Sequence, residues 1–281
     1  MAFLDRIDEC RRFDPRRYRP FRIGGVEVGL IGHDFARRLR DFPRVFTIED
    51  SSVRLSEGLN DFRTRTEAVA EVLEAMRARG EVPGWRDEPY PVSPAFALPP
   101  LLTMERAAVP LFGVMGFGIH VNGIVGDGET LRLWIGRRSR TKPTGPGKLD
   151  QVVAGGQPAG VSLADNLVKE CAEEAAIPAD LARRAVPVGA ISYRTERPEG
   201  LRRDVLFNYD LALPEDFTPR NTDGEVESFH CRPISQVIDV VRDTDDFKFN
   251  CALVVIDFLL RRGLIPPDHP DYGELLKGLH G

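Results

Sequence analysis

The stretch from Ser162 to Ala176 constrains this chain more than any other. At about 100° per residue, Ala164, Leu167, Val168, Cys171 and Ala175 share one arc of a helix, and Glu170, Glu173 and Glu174 share the next. Ser162 is a good N-cap, with Asp165 three residues on, near a capping-box pattern. A helix divided in this way can bury one face on a sheet while the edge of that face presents three carboxylates. The arrangement is costly. Like charges at i, i+3 and i+4 repel by a few tenths of a kcal/mol per pair, and the last turns of a helix disfavour anions. A solvated acidic face is the plainer account of the glutamates alone. A bound divalent cation would reverse both costs, because Mg²⁺ takes oxygen ligands from a few carboxylates and from substrate phosphates.

The rest of the chain supplies a sheet for such a helix. Phe112–Ile124 is apolar, and Gly126-Asp127-Gly128 reads as a hairpin turn into Leu131–Ile135. Val188–Tyr193 and Val205–Leu213 read as strands, and Ser235–Val241 and Asn250–Arg262 as helices. This alternation predicts a mixed sheet with helices on its faces, an α/β/α sandwich. Upstream, Phe3–Phe13, His33–Phe42 and Thr66–Arg79 read as helices, and Phe21–Ile31 and Ser52–Leu55 as strands. Pro91, Pro94, Pro99, Pro100 and Pro110 cluster between the two parts. The expected organisation is a small α+β unit over 1–105 and a second unit over 106–281.

A formal net charge of −5 argues against general nucleic-acid binding, which shows a basic surplus. No apolar run reaches the roughly 18 residues of a membrane helix, and Cys251–Leu260 is broken by Asp257. The first 20 residues are dense in Arg and Asp, unlike a secretory signal. The four cysteines include no C-x-x-C pair and fit reduced thiols. Together these features suggest a cytoplasmic protein whose partner is a small anion. Arg137, Arg138, Arg140, Lys142 and Lys148 offer a local patch for phosphate.

Gly155–Ile177, reading GGQPAGVSLADNLVKECAEEAAI, resembles the Nudix box, G-x5-E-x7-R-E-U-x-E-E-x-G-U with U bulky and aliphatic. Gly155 takes the first glycine, and Lys169, Glu170, Cys171, Glu173, Glu174 and Ile177 take the R, E, U, E, E and final U places. Val161 replaces the loop Glu, Lys169 the Arg and Ala176 the late Gly. A second alignment, with the loop one residue shorter, sets Gly155-Gly156 against the family's Gly-Gly pair. The flanks Trp134–Ser139 and Lys148–Asp150 also resemble the family's. Trp85–Val92, Val153–Gly160 and Phe247–Val254 are similar to a subgroup related to the Nudix part of thiamine pyrophosphokinase fusions.

The resemblance implies a Nudix fold and a Mg²⁺-dependent pyrophosphohydrolase, with Mn²⁺ as a substitute. The metal set would be Glu170, Glu173, Glu174 and the Gly155 carbonyl, with Glu170 and Glu174 central to catalysis. Arg137, Arg138 and Lys148 would face the substrate phosphates. Trp85 would stack on a heteroaromatic ring or serve as interdomain packing. Glu225, in the Asp223-Gly224-Glu225-Val226 segment, is the expected general base. The implied substrate is thiamine diphosphate or an oxidised analogue, cleaved to the monophosphate and phosphate. A nucleotide sugar or dinucleotide would suit the same box, and Val161 leaves room for a sensor that binds without hydrolysis. A homodimer is expected from the resemblance alone.

Overall fold

The computed structural model describes residues 2–280. Its elements run α1 (Phe3–Glu9), β1 (Tyr18–Ile23), β2 (Val26–Gly32), α2 (His33–Leu39), β3 (Phe46–Ile48), β4 (Val53–Leu55), α3 (Phe62–Ala78), β5 (Pro89–Val92), β6 (Leu102–Glu105), α4 (Val109–Phe112) and β7 (Met115–Val125). They continue with β8 (Arg132–Arg138), β9 (Leu149–Asp150), β10 (Val153–Gly156), α5 (Leu163–Ala175), α6 (Ala179–Ala182), β11 (Val186–Arg197), β12 (Gly200–Ala212), β13 (Val226–Pro233), α7 (Ile234–Asp243), α8 (Phe249–Arg261) and α9 (Tyr272–His280).

The first core belongs to a four-stranded sheet, ordered β2-β1-β4-β3. Gly24 and Gly25 both take positive φ, which lets β1 turn tightly into β2. Helix α3 begins where the Asp61 side chain accepts the Thr64 amide at 2.9 Å. It buries Val69, Val72, Leu73 and Met76, the positions that the helical period selects. The proline-rich segment is not a loose connector. Its β5 and β6 pair with each other, and the cluster they join runs from Phe21 to Val114. Helix α1 packs elsewhere. Its Phe3 and Ile7, with Cys10 just after it, lie in one cluster with Leu275 and Leu279 of α9.

The second core is built on a seven-stranded mixed sheet, with path β11-β12-β7-β8-β13 and with β10 on β7 and β9 on β8. β7 is parallel to β12 and antiparallel to β10. Alternation along β7 divides the two faces. Ile119, Val121 and Val125 meet Leu167, Cys171 and Ala175 of α5, whereas Ile124 faces the cluster built on α8. The expected α/β/α sandwich is therefore present.

Several boundaries differ from the sequence reading. α1 stops at Glu9 rather than Phe13. β7 starts at Met115, because Val109–Phe112 makes a helical turn and Gly113 reverses the chain at φ 53°. The turn after β7 is longer than Gly126-Asp127-Gly128, since a 3₁₀ turn spans Gly128–Thr130 and pairing resumes at Val125 with Arg132. β11 and β12 pair along nearly their whole length. Elements β3, β5, β6, β13 and α9 carry too short or too polar a pattern to be read beforehand.

Candidate active site

Helix α5 places its carboxylates at the mouth of a cleft of about 580 Å³ between the two cores. Ser162 Oγ accepts the Asp165 amide at 3.1 Å and fixes the helix start. The three glutamates then diverge in environment. Glu173 is half exposed, at 50% for its side chain, and Glu170 falls to 13%. Glu174 is buried at 6%. Lys169 pairs with both Glu170 (3.3 Å) and Glu173 (3.1 Å). Among the described residues Glu174 has no ion pair. Its Oε2 accepts the Ala154 amide at 2.8 Å.

Burial raises the Glu170 carboxyl above its usual range, against the pull of Lys169. Burial pushes Glu174 further up, the Ala154 amide opposes this, and Glu170 adds repulsion. A buried carboxylate beside a half-buried one, with a single lysine paired to the latter, is a donor set that suits a hard divalent cation. The Gly155-Gly156 pair completes the cradle. A Cβ on Gly155 would overlap the Glu170 carboxyl group, and a Cβ on Gly156 would overlap the Tyr90 hydroxyl and crowd Arg106. Glycine here admits one side chain from α5 and two from the first core. Tyr90 Oη is buried against this strand with no hydrogen-bond partner among the described residues.

Where the family pattern has a loop glutamate, the chain uses other bonds. Gln157 is buried and donates its amide to the Val161 carbonyl at 2.6 Å. Asn166 donates to the Gly156 carbonyl at 2.8 Å. These two amides span the loop between β10 and α5. Ala176 takes φ 54°, the left-handed cap that the family fills with glycine.

Glu225 precedes β13 and lines the same cleft, ion-paired to Lys142. Burial alone would raise its carboxyl, but Lys142 outweighs burial and holds it below the usual range. Arg138 also reaches the lining, yet it serves mainly to brace the fold. It bonds Asp150 at 2.6 Å and the Thr144 carbonyl at 2.8 Å.

Three expected substrate contacts lie outside the cleft lining. Arg137 turns to the Gly147 carbonyl at 2.7 Å. Lys148 pairs with Asp245 at 3.1 Å. Trp85 stacks beneath Arg77, with 4.5 Å from guanidinium carbon to ring centroid, and its Nε1 donates to Asp87 at 2.7 Å. In each case a nearer counter-ion or carbonyl takes the side chain. The neighbours Gly84 and Arg86 reach the cleft instead of Trp85. Sequence reading missed Arg86, Arg106, Arg202 and Lys248, which all line it. Arg86 lies within the Trp85–Val92 segment, and Lys248 within Phe247–Val254, so those two segments held the only signal.

A second buried cluster lies behind the sheet. Ligand atoms of His120, Asp150 and Cys251 fall within 4.8 Å of one another. Each is already bonded. His120 Nδ1 meets Gln151 Oε1 at 2.7 Å, the Cys251 thiol donates to Asp150 at 2.7 Å, and Asp150 also accepts Arg138. Burial pushes His120 down to about 4. Burial would raise Asp150, but Arg138 and Lys248 hold it at about 2. A cation there would have to break these bonds, so the cluster fits a metal less well than the α5 site does.

The fold, the α5 carboxylates and the glycine pair suit a hydrolase of phosphoanhydride bonds that works with a divalent cation. Comparison with known proteins fixes the family. The chain is 49% identical over 283 residues to Nudix hydrolase 24, chloroplastic, of Arabidopsis thaliana, covering 99% of this chain and 77% of that protein. It is 46% identical over 290 residues to Nudix hydrolase 20, chloroplastic, of the same plant, with coverage of 99% and 77%. The chain belongs to the Nudix hydrolase family. Residues 2–116 also match a family model described as "Domain of unknown function (DUF4743)". Among solved structures, the Nudix domain of Shewanella oneidensis NrtR complexed with ADP ribose matches at 12% identity and TM-score 0.43, covering 53% of this chain and 90% of that one.

The names of the two plant relatives overturn the cytoplasmic expectation, because both are chloroplastic. Composition could not have decided the compartment. Among the described residues all four cysteines are free, and no helix is long and apolar enough to cross a membrane. Neither observation names a compartment.

Proposed function

We propose that this chain hydrolyses a diphosphate carried by a small heteroaromatic alcohol, with Mg²⁺ as the working metal and Mn²⁺ as a substitute. Thiamine diphosphate and its oxidised analogues are the first substrates to test. The observation that carries the reading is the buried Glu170–Glu174 pair against Gly155, facing a cleft rich in cations. Glu170, Glu174 and the Gly155 carbonyl would hold the metal, with Glu173 direct or through water. When bound, a divalent cation supplies a lower pKa for water and neutralises phosphate charge. Glu225 stays ionised beside Lys142 and accepts a proton from the attacking water. The water oxygen bonds to phosphorus, the P–O–P bridge breaks, and the monophosphate and orthophosphate leave. Lys142 and Arg106 offset charge on nonbridging oxygens. Residues of the segment from Pro83 to Glu88, with Arg106, Ala107 and Pro110, line the cleft from the first core.

The bonds from Gln157 and Asn166 support hydrolysis over mere sensing, since they span the loop although Val161 stands at the glutamate position. The test is phosphate release with Mg²⁺ across thiamine diphosphate, its oxidised analogues, ADP-ribose, dinucleoside polyphosphates and NTPs, with Glu174→Gln alongside. Turnover of thiamine-type diphosphates that vanishes in the variant is expected. Turnover confined to nucleotides would overturn the thiamine assignment, and tight binding with no turnover would make the chain a sensor.

A further inference from the structure

Most cations of the cleft are spoken for. Arg106 pairs with Glu88 at 2.7 Å, Arg138 with Asp150 at 2.6 Å and Arg202 with Glu199 at 3.0 Å. Lys142 pairs with Glu225, and Lys169 with two of the α5 glutamates. Two are not. Among the described residues, neither Arg86 nor Lys248 has a carboxylate within ion-pair reach, although both line the cleft and both are half-buried.

An unpaired charge withdrawn from water is a standing cost, and here the neighbours increase it. Burial lowers the pKa of Arg86, with Arg106 and Arg202 pressing it further down. Burial lowers Lys248 as well, with Arg138 and Arg202 adding to the effect against Asp150. Arg86, Arg202 and Lys248 all line the cleft, and Arg202 acts on both of the others. Lys248 is also the N-cap residue of α8, the end of a helix where the dipole disfavours a cation.

Neither residue is loosely placed. The Arg86 amide donates to the buried Glu105 carboxylate at 2.9 Å. The Lys248 amide donates to the Leu149 carbonyl at 2.9 Å, and the Lys248 carbonyl accepts the Cys251 amide at 2.9 Å. The backbone is fixed while, among the described residues, neither charged end has a carboxylate within ion-pair reach; Lys248 Nζ lies 6.0 Å from the Phe249 ring centroid.

We propose that Arg86 and Lys248, with Arg202 on the same cleft lining, form a subsite for the terminal phosphate of the substrate, so that the first core supplies part of the active site. The inference rests on the diphosphatase reading above and deepens it. Two unmatched positive charges suit the two negative charges of a terminal phosphate. An internal, doubly esterified phosphate brings one charge and one fewer free oxygen. The substrate class is then a monosubstituted diphosphate, with orthophosphate leaving from the Arg86 side.

The test uses the full chain as wild type, Arg86→Met, Lys248→Met and Arg86→Lys. The first readout is calorimetric binding of inorganic pyrophosphate in EDTA, which needs no metal and no turnover. The second is the ratio of kcat/KM for thiamine diphosphate to that for ADP-ribose, with Mg²⁺. Each Met variant should weaken pyrophosphate binding by about 10–100-fold, the worth of one charge-assisted bond. The same ratio should fall by about 10-fold or more. Arg86→Lys keeps the charge and should retain most of the binding, which separates a lost contact from a lost fold. Unchanged pyrophosphate binding in the folded Met variants, or equal losses on both substrates, would overturn the subsite. Undiminished hydrolysis by Glu174→Gln would instead sink the metal-site reading while the binding result stood.

Discussion

Two buried polar clusters flank the central sheet, and they differ in one respect. Behind the sheet, Asp150, Arg138, His120, Gln151 and Cys251 satisfy one another, and Asp150 is held at about 2. In front, Glu170 and Glu174 lie side by side with one amide and one lysine between them, and burial drives both upward. The first cluster is balanced without any ligand. In the second, Glu174 has no ion pair among the described residues. Residue type alone would rank the His-Asp-Cys cluster higher as a metal site. The accounting of partners reverses that order.

The comparison can be broken by removing charge from each side. Glu174→Gln should lower kcat/KM on the order of 10³-fold, as losing a central charged group of a catalytic site does. The same variant should raise the melting temperature in EDTA by a few degrees, roughly the effect of 1 kcal/mol in a chain of this size. A Tm drop, or retained activity, would place Glu174 with the structural cluster instead. Glu225→Gln should cost about 10²–10⁴-fold in kcat, the usual worth of general base catalysis. Its pH–rate profile should lose the acidic limb, which in the wild type lies below the ordinary glutamate range because Lys142 holds Glu225 ionised.

The balanced cluster should behave in the opposite way. Asp150→Asn leaves Arg138 buried without its partner and should destabilise the fold by roughly 3–5 kcal/mol, measured by urea unfolding. The sign with pH follows from the depressed carboxyl. Its contribution is present above the ordinary value of 3.8 and disappears as pH falls through about 2. Acid unfolding of the wild type that ignored that window would contradict this assignment. The smallest effect is at Ala176, whose left-handed φ of 54° strains a residue with a Cβ. Ala176→Gly should stabilise by roughly 0.5–1 kcal/mol, read as a small rise in urea midpoint with no change in kcat.

The difference between the clusters also explains what could be read from sequence. Glu170, Glu173 and Glu174 are three and four residues apart, so helical geometry alone assembles them, and Ser162 marks where the helix begins. Arg86, Arg106, Arg202 and Lys248 are assembled by tertiary structure across both cores, and no local spacing reveals them. Arg137 and Lys148 lie off the cleft lining for a related reason. Each sits near the box in sequence, yet Gly147 and Asp245 are nearer in space and claim the charge. Trp85 faces Arg77 because its segment runs along the first core, which leaves the adjacent Arg86 to reach the cleft. β13 was hidden because its burial does not alternate, and α9 because its apolar face is narrow.

The most direct test of the unbalanced site is a calorimetric titration of the metal-free chain with Mg²⁺ at pH 8, for wild type and Glu174→Gln. Saturable binding in the wild type, at least 10-fold weaker in the variant, is the predicted result. Equal binding by both chains, or binding that instead disappears in Cys251→Ser, would show that the α5 carboxylates are not the metal site.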